Sequence, residues 1–124
     1  MLRGDGRGGF AVLSLNESGF YVPGNAKALV KVLDHKNQYL VAASQNRDSL
    51  KLFRSGIADI KYYHAALNEI SAVYEMKDGR KRKEEFYTGS SFLSQSANFV
   101  GIGKSVLSIT IIDNKGNKRV IGGN

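Results

Sequence analysis

The chain reads as all-β, with a β-meander (a partial propeller blade) followed by a small antiparallel β-sandwich or barrel-like domain. Three features of its 124 residues predict this. Apolar side chains recur with the two-residue period of strands along most of the length. Fourteen glycines against one proline punctuate those runs with turns. Polar turn chemistry, above all Asp78-Gly79 and Asp113-Asn114-Lys115-Gly116, stands between alternating segments.

Taken in order, a glycine cluster over residues 4–9 opens an apolar run at 10–15, and residues 16–25, with the single proline, are rich in turn formers. Residues 28–33 and 38–44 are strand candidates separated by the polar spacer Asp34-His35-Lys36-Asn37, which suits a hairpin. Residues 45–48 turn again into a third strand candidate at 49–54, completing the meander. Gly56-Ile57-Ala58-Asp59 marks the expected boundary, giving units 1–56 and 57–124. Beyond it, residues 60–66 and 69–76 are strands, the second with Ile70, Ala72, Tyr74 and Met76 on one face. Asp78-Gly79 is a strong hairpin signal because such a turn needs positive φ. On the return strand Lys83, Glu85 and Tyr87 alternate with Glu84 and Phe86. A polar stretch then leads to residues 99–103, and strands at 106–112 and 118–121 close the chain around the turn at 113–116. A weak helical period over residues 59–74 is outweighed by the strand preference of Tyr62, Tyr63, Val73 and Tyr74.

Composition excludes several classes. There is no cysteine, hence no disulfide framework and no thiolate metal site. No apolar run approaches the roughly 18–20 residues of a membrane-spanning helix. The opening Met1-Leu2-Arg3-Gly4-Asp5-Gly6 lacks the apolar core of a signal peptide. The net charge of +7 is spread over both halves, with eight Lys/Arg against four Asp/Glu in residues 1–55 and ten against seven in 56–124. Only Arg80-Lys81-Arg82-Lys83 forms a run, and Glu84-Glu85 follows at once. That pattern reads as a solvated hairpin strand, and its four cations are candidate ligand contacts.

Catalytic constellations are missing. Glu84 and Glu85 are adjacent, so on a strand they face opposite ways and do not form a paired acid and base. His35 and His64 belong to no metal-ligand spacing; the first reads as a loop residue and the second as a strand residue. Asp5, Asp34 and Asp48 stand singly, without the spaced carboxylates of a calcium loop, and read as turn residues. Gly101-Ile102-Gly103-Lys104 leads into a strand rather than the helix of a phosphate loop. Ser90, Ser91, Ser94 and Ser96 cluster without a nearby histidine or a nucleophile elbow. Their hydroxyls and Gln95 are expected to satisfy backbone groups where the chain changes direction. Ser91, Phe92, Ser94, Gln95 and Ser96 are also candidate contacts for a polar ligand. The expectation is a protein that is not an enzyme and carries no cofactor.

Gly89-Ser90-Ser91-Phe92-Leu93-Ser94-Gln95-Ser96, then Phe99-Val100-Gly101-Ile102-Gly103 and the strand and glycine turn of 106–116, resemble the ASPIC/UnbV domain. That family carries a G-x-S-[FY]-x-S-Q-S core, a hydrophobic-G-hydrophobic-G segment and a closing hairpin. The upstream stretch 67–79 is similar to the family's opening, with Ser71 where a glycine is usual. Residues 1–55 resemble the closing repeat of an FG-GAP/VCBS-type β-propeller, through Gly4-Asp5-Gly6-Arg7-Gly8-Gly9-Phe10, Glu17-Ser18-Gly19-Phe20 and Leu40-Val41-Ala42-Ala43-Ser44-Gln45-Asn46. The resemblance implies a C-terminal fragment of a bacterial exported repeat protein, extracellular or on the cell surface, with the upstream propeller as one partner. It implies a binding or adhesion module for a protein or glycan ligand, with calcium confined to missing upstream repeats. The alternative is a basic nucleic-acid (RNA)-binding domain, in which Lys61, Tyr62, Tyr63, Arg80 to Lys83, Phe86 and Tyr87 would combine phosphate contacts with stacking faces.

Overall fold

A computed structural model of the chain describes residues 1–89 and 95–122. Its described residues form β1 (Leu2–Gly4), β2 (Phe10–Val12), the helical turn α1 (Leu15–Ser18), β3 (Ala26–Leu33), β4 (Tyr39–Gln45), β5 (Lys51–Arg54), β6 (Lys61–His64), β7 (Glu69–Met76), β8 (Lys81–Glu85), β9 (Phe99–Ile102), β10 (Val106–Asp113) and β11 (Lys118–Ile121). The protein is all-β, every strand pairing is antiparallel, and no barrel closes among the described residues. The predicted meander is present as the sheet β3-β4-β5. The later strands form a four-stranded sheet, β11-β10-β7-β8, and a separate ribbon, β6-β9. Of the two architectures expected for this part, the sandwich-like one is present. None of the described helices is long and apolar enough to cross a membrane.

The core lies where the ribbon covers the four-stranded sheet. Ala72 and Tyr74 from β7 face inward beside Ile111 and Ile109 of β10, their partners in register. Val100 of β9 closes over them and is wholly buried. Tyr63, Met76, Phe86, Ile102 and Ile121 pack around this cluster. Burying such side chains is worth about 1.5–3 kcal/mol each and is what holds the two layers together. Ile70, on the same face by alternation, departs from expectation: it is 46% exposed, beside an open hollow lined by Phe86 and Ala97. Within residues 1–56 the buried apolar side chains are Ala42 and Ala43, so the meander brings little core of its own.

Three hairpins use one turn design. Asn37 N–H donates to the Asp34 carbonyl (3.0 Å), Gly79 N–H to Met76 (2.9 Å) and Gly116 N–H to Asp113 (3.0 Å). In each turn that donor residue has positive φ, 60° at Asn37, 82° at Gly79 and 83° at Gly116. The next residue's carbonyl then accepts from the first residue's N–H, as from Asp34 to Gln38 at 3.1 Å. This is the three-residue loop ending in a left-handed residue. At Asp78-Gly79, positive φ is therefore needed by the glycine alone.

The apolar run expected over 10–15 is divided. β2 ends at Val12, where it pairs with Leu2 of the unforeseen strand β1. Ser14 then caps α1: the Glu17 N–H donates to Ser14 Oγ (3.3 Å) while the Ser14 N–H donates to Glu17 Oε2 (2.9 Å). This capping box is legible as Ser14-Leu15-Asn16-Glu17, and it starts a helical turn that the strand reading overlooked.

Candidate binding site

The meander meets the rest of the chain through aromatic rings. Tyr39, at the start of β4, stands edge-on to Phe99 of β9 with centroids 5.3 Å apart and to Tyr62 of β6 at 6.0 Å. Tyr62 and Phe99 are themselves perpendicular at 5.5 Å. Edge-to-face pairs of this kind add about 0.5–1.5 kcal/mol beyond area burial. Asn37 reinforces the joint: its amide donates to the Tyr62 carbonyl (3.5 Å), and its Oδ1 lies 3.2 Å from His64 Nε2.

Beside the rings sits a charged network. Lys31 Nζ, from β3, lies 5.2 Å from the Phe99 ring centre and donates to Glu84 Oε1 at 3.3 Å. The buried Tyr74 hydroxyl donates to Glu84 Oε2 at 3.0 Å. Arg82 reaches the same oxygen at 3.5 Å, its guanidinium 4.1 Å from the Tyr74 ring centre. One carboxylate thus serves three partners. Burial, reinforced by the Glu84 charge, pushes the Tyr74 phenol up to about 12. Burial also raises the phenols of Tyr39 and Tyr62. All three are hydrogen-bond donors at neutral pH rather than bases.

These groups border a cleft of about 390 Å³. A second hollow, about 510 Å³, adjoins it, and the two share Ile60, Gly103 and Val106 as lining. Lys61, Lys77, Lys104 and Asp59 line the second. Both volumes fall in the range of small-ligand sites, roughly 300–1,000 Å³.

The basic run expected as a contact surface is paired throughout. Arg80 meets Asp78 (2.8 Å), Lys81 meets Glu75 (3.8 Å), Arg82 meets Glu84 (3.5 Å) and Lys83 meets Glu85 (2.7 Å). Only Arg82 belongs to the cleft. Gln95 and Ser96 act on backbone. The Gln95 amide donates to the carbonyls of Ser96 (2.8 Å) and Tyr87 (3.2 Å), and its oxygen accepts from the Gly89 N–H. Ser96 Oγ accepts from the Lys31 N–H at 3.2 Å, and the Ala97 N–H donates to the Lys31 carbonyl at 2.9 Å. This stretch thereby occupies the outer edge of β3 at Lys31. Ser91, Phe92 and Ser94 lie outside the described residues.

Of the aromatics expected to offer stacking faces, Tyr62 alone lines the cleft. Phe86 packs on the core, Tyr63 donates to Glu69 (3.0 Å), and the Tyr87 hydroxyl donates to Glu85. Glu69 forms a second clasp, accepting from the Ala66 N–H (2.8 Å), from Tyr63 and from Arg119. Burial works to raise its carboxyl, but the Ala66 N–H, Arg119 and Tyr63 outweigh this and hold it below the ordinary value. Sequence reasoning missed Lys31, Tyr39 and Phe99 as cleft residues.

The single aspartates serve turns. Asp5 Oδ1 accepts from the N–H groups of Arg7 (2.7 Å) and Gly9 (3.0 Å), Asp34 Oδ1 from Lys36 and Gln38 (both 2.8 Å), and Asp48 Oδ1 from Ser49 (2.6 Å). Among the described residues no group of three or more His, Asp or Glu side chains is placed to hold a metal ion.

No protein-family model, no curated protein and no solved structure matches the chain.

Proposed function

We propose that the chain is a non-catalytic binding module that takes its ligand in the aromatic cleft between the meander and the later sheets. The observation that carries this reading is the convergence of Tyr39, Tyr62 and Phe99 with Lys31, Arg82 and Glu84 around one concavity. Apolar ring surface with a few fixed polar groups is the usual make-up of a recognition site. Chemistry finds little support there. Glu84 is engaged by Tyr74, Lys31 and Arg82, and no histidine lines the cleft among its described residues.

In keeping with the ASPIC/UnbV and VCBS resemblance, we read the module as the C-terminal part of an exported repeat protein, working at the cell surface or outside it on a protein or glycan. The alternative, a nucleic-acid binder, is the weaker reading at the run 80–83, because each of those exposed cations faces a carboxylate and would have to exchange it for a phosphate.

Capture from arrays of immobilised glycans and extracellular proteins, run with the wild type and Tyr62→Ala, tests the reading. It expects a ligand that is retained by the wild type, lost by the variant and recovered chemically unchanged. A ligand recovered cleaved or modified would overturn the non-catalytic part, and retention indifferent to Tyr62→Ala would overturn the cleft.

A further inference from the structure

We propose that the aromatic cleft and the lysine-lined hollow form one continuous track for an acidic oligosaccharide, a chain of sugar rings bearing carboxylates. This rests on the binding reading above and names the ligand class. The two hollows share Ile60, Gly103 and Val106, so a chain seated on the rings of Tyr39 and Tyr62 has a way into the hollow that the lysines line.

Those lysines come from three separated places: Lys61 from β6, Lys77 just after β7, and Lys104 before β10. The fold holds them together, since the Lys77 N–H donates to the Ser105 carbonyl at 2.9 Å. Lys104 is paired with Asp59 at 2.5 Å, whereas among the described side chains Lys61 and Lys77 have no carboxylate within 4.0 Å. Two solvated ammonium groups at the edge of a hollow select for negative charge on whatever enters it.

The carboxylates along the track narrow the class further. Asp59 lines the second hollow and Glu84 the first. A uronate chain and a nucleic-acid strand each carry about one negative charge per unit, so charge alone does not separate them. The uronate also brings ring hydroxyls, which donate to the remaining lone pairs of Asp59 and Glu84 while the ring faces lie on the tyrosines, and a deoxyoligonucleotide has no such donors along its backbone. A neutral sugar would leave Lys61 and Lys77 unanswered.

The test is calorimetric titration of the full chain, at low and physiological salt, with oligogalacturonate, a neutral glucan oligomer of equal length, and oligothymidylate. The expected order is uronate over neutral glucan and oligothymidylate. Lys61→Ala/Lys77→Ala is expected to weaken uronate binding about tenfold or more with an unchanged circular-dichroism spectrum. Neutral glucan or oligothymidylate binding as tightly as the uronate would overturn the proposal, as would wild-type affinity in the double variant. If that variant is indifferent while Tyr62→Ala abolishes binding, the acidic track falls and the cleft stands. If neither variant changes retention of any ligand, both fall.

Discussion

Lys31 Nζ stands 3.3 Å from Glu84 Oε1, and this is the one ion pair among the described residues that joins the meander to the four-stranded sheet. Both side chains are about one-third exposed or less, at 34% and 28%. The pair is therefore better shielded than a surface bridge, and Glu84 also answers the buried Tyr74 hydroxyl.

Glu84→Ala is expected to cost about 1–3 kcal/mol, mostly because the Tyr74 hydroxyl is left buried without its acceptor. Tyr74→Phe in the Glu84→Ala background should recover part of that loss, since both ends of the hydrogen bond are then gone. Urea denaturation of the two single variants and the double variant measures the coupling. Simple additivity would show that the two groups do not act together.

The raised phenol of Tyr74 sets an alkaline limit. Its folded value, about 12, exceeds the ordinary 10.0, so its contribution is intact below pH 10 and is lost as pH rises toward 12. Tyr39 and Tyr62 shift the same way. Tyr74→Phe should shallow the alkaline fall in thermal midpoint without abolishing it. An unchanged alkaline slope would contradict the burial assigned to this hydroxyl.

Glu69 sets the opposite limit. Its carboxyl is held below the ordinary 4.5, so the clasp with Ala66, Tyr63 and Arg119 stabilises fully above that pH and is lost as pH falls through the lowered value. Glu69→Gln should lower stability near neutral pH and flatten the acid limb of the stability profile. Asp34 and Asp113 are also lowered, chiefly by backbone donors at Asp34 and by the Asn117 side chain at Asp113, and would leave a residual slope. An acid limb as steep as that of the wild type would remove Glu69 from this role.

The shared turn design makes its own demand. Gly79→Ala and Gly116→Ala each place a Cβ at φ near 80° and should cost about 1–2 kcal/mol. Gly79→Asn should cost less, because asparagine tolerates this region, as Asn37 does at φ 60°. Chemical denaturation of the three variants checks the ranking.

Much of this was legible in the residues themselves. Alternation at Ala72, Tyr74 and Met76 named the inward face of β7, and the polar spacers named the hairpins. Even the neutralised basic run was half-visible, since Lys83 and Glu85 are two apart and share a strand face. Ser14 and Glu17 carried the signal for α1, overlooked because a single capped turn sits inside an apolar run. The cleft was not legible. Tyr39, Tyr62 and Phe99 lie on three strands whose meeting depends on how the ribbon β6-β9 docks against the meander, and no local period encodes that docking. Lys31 and Glu84 are likewise brought together by packing alone.

The most direct test of the acidic track through the cleft is to follow backbone amide resonances while titrating oligogalacturonate into the isotopically labelled chain. Shifts are expected to gather at Lys31, Tyr39, Lys61, Tyr62, Lys77 and Phe99, with Lys81 and Lys83 unmoved. Shifts confined to residues 80–83, or a spectrum that does not change, would contradict it.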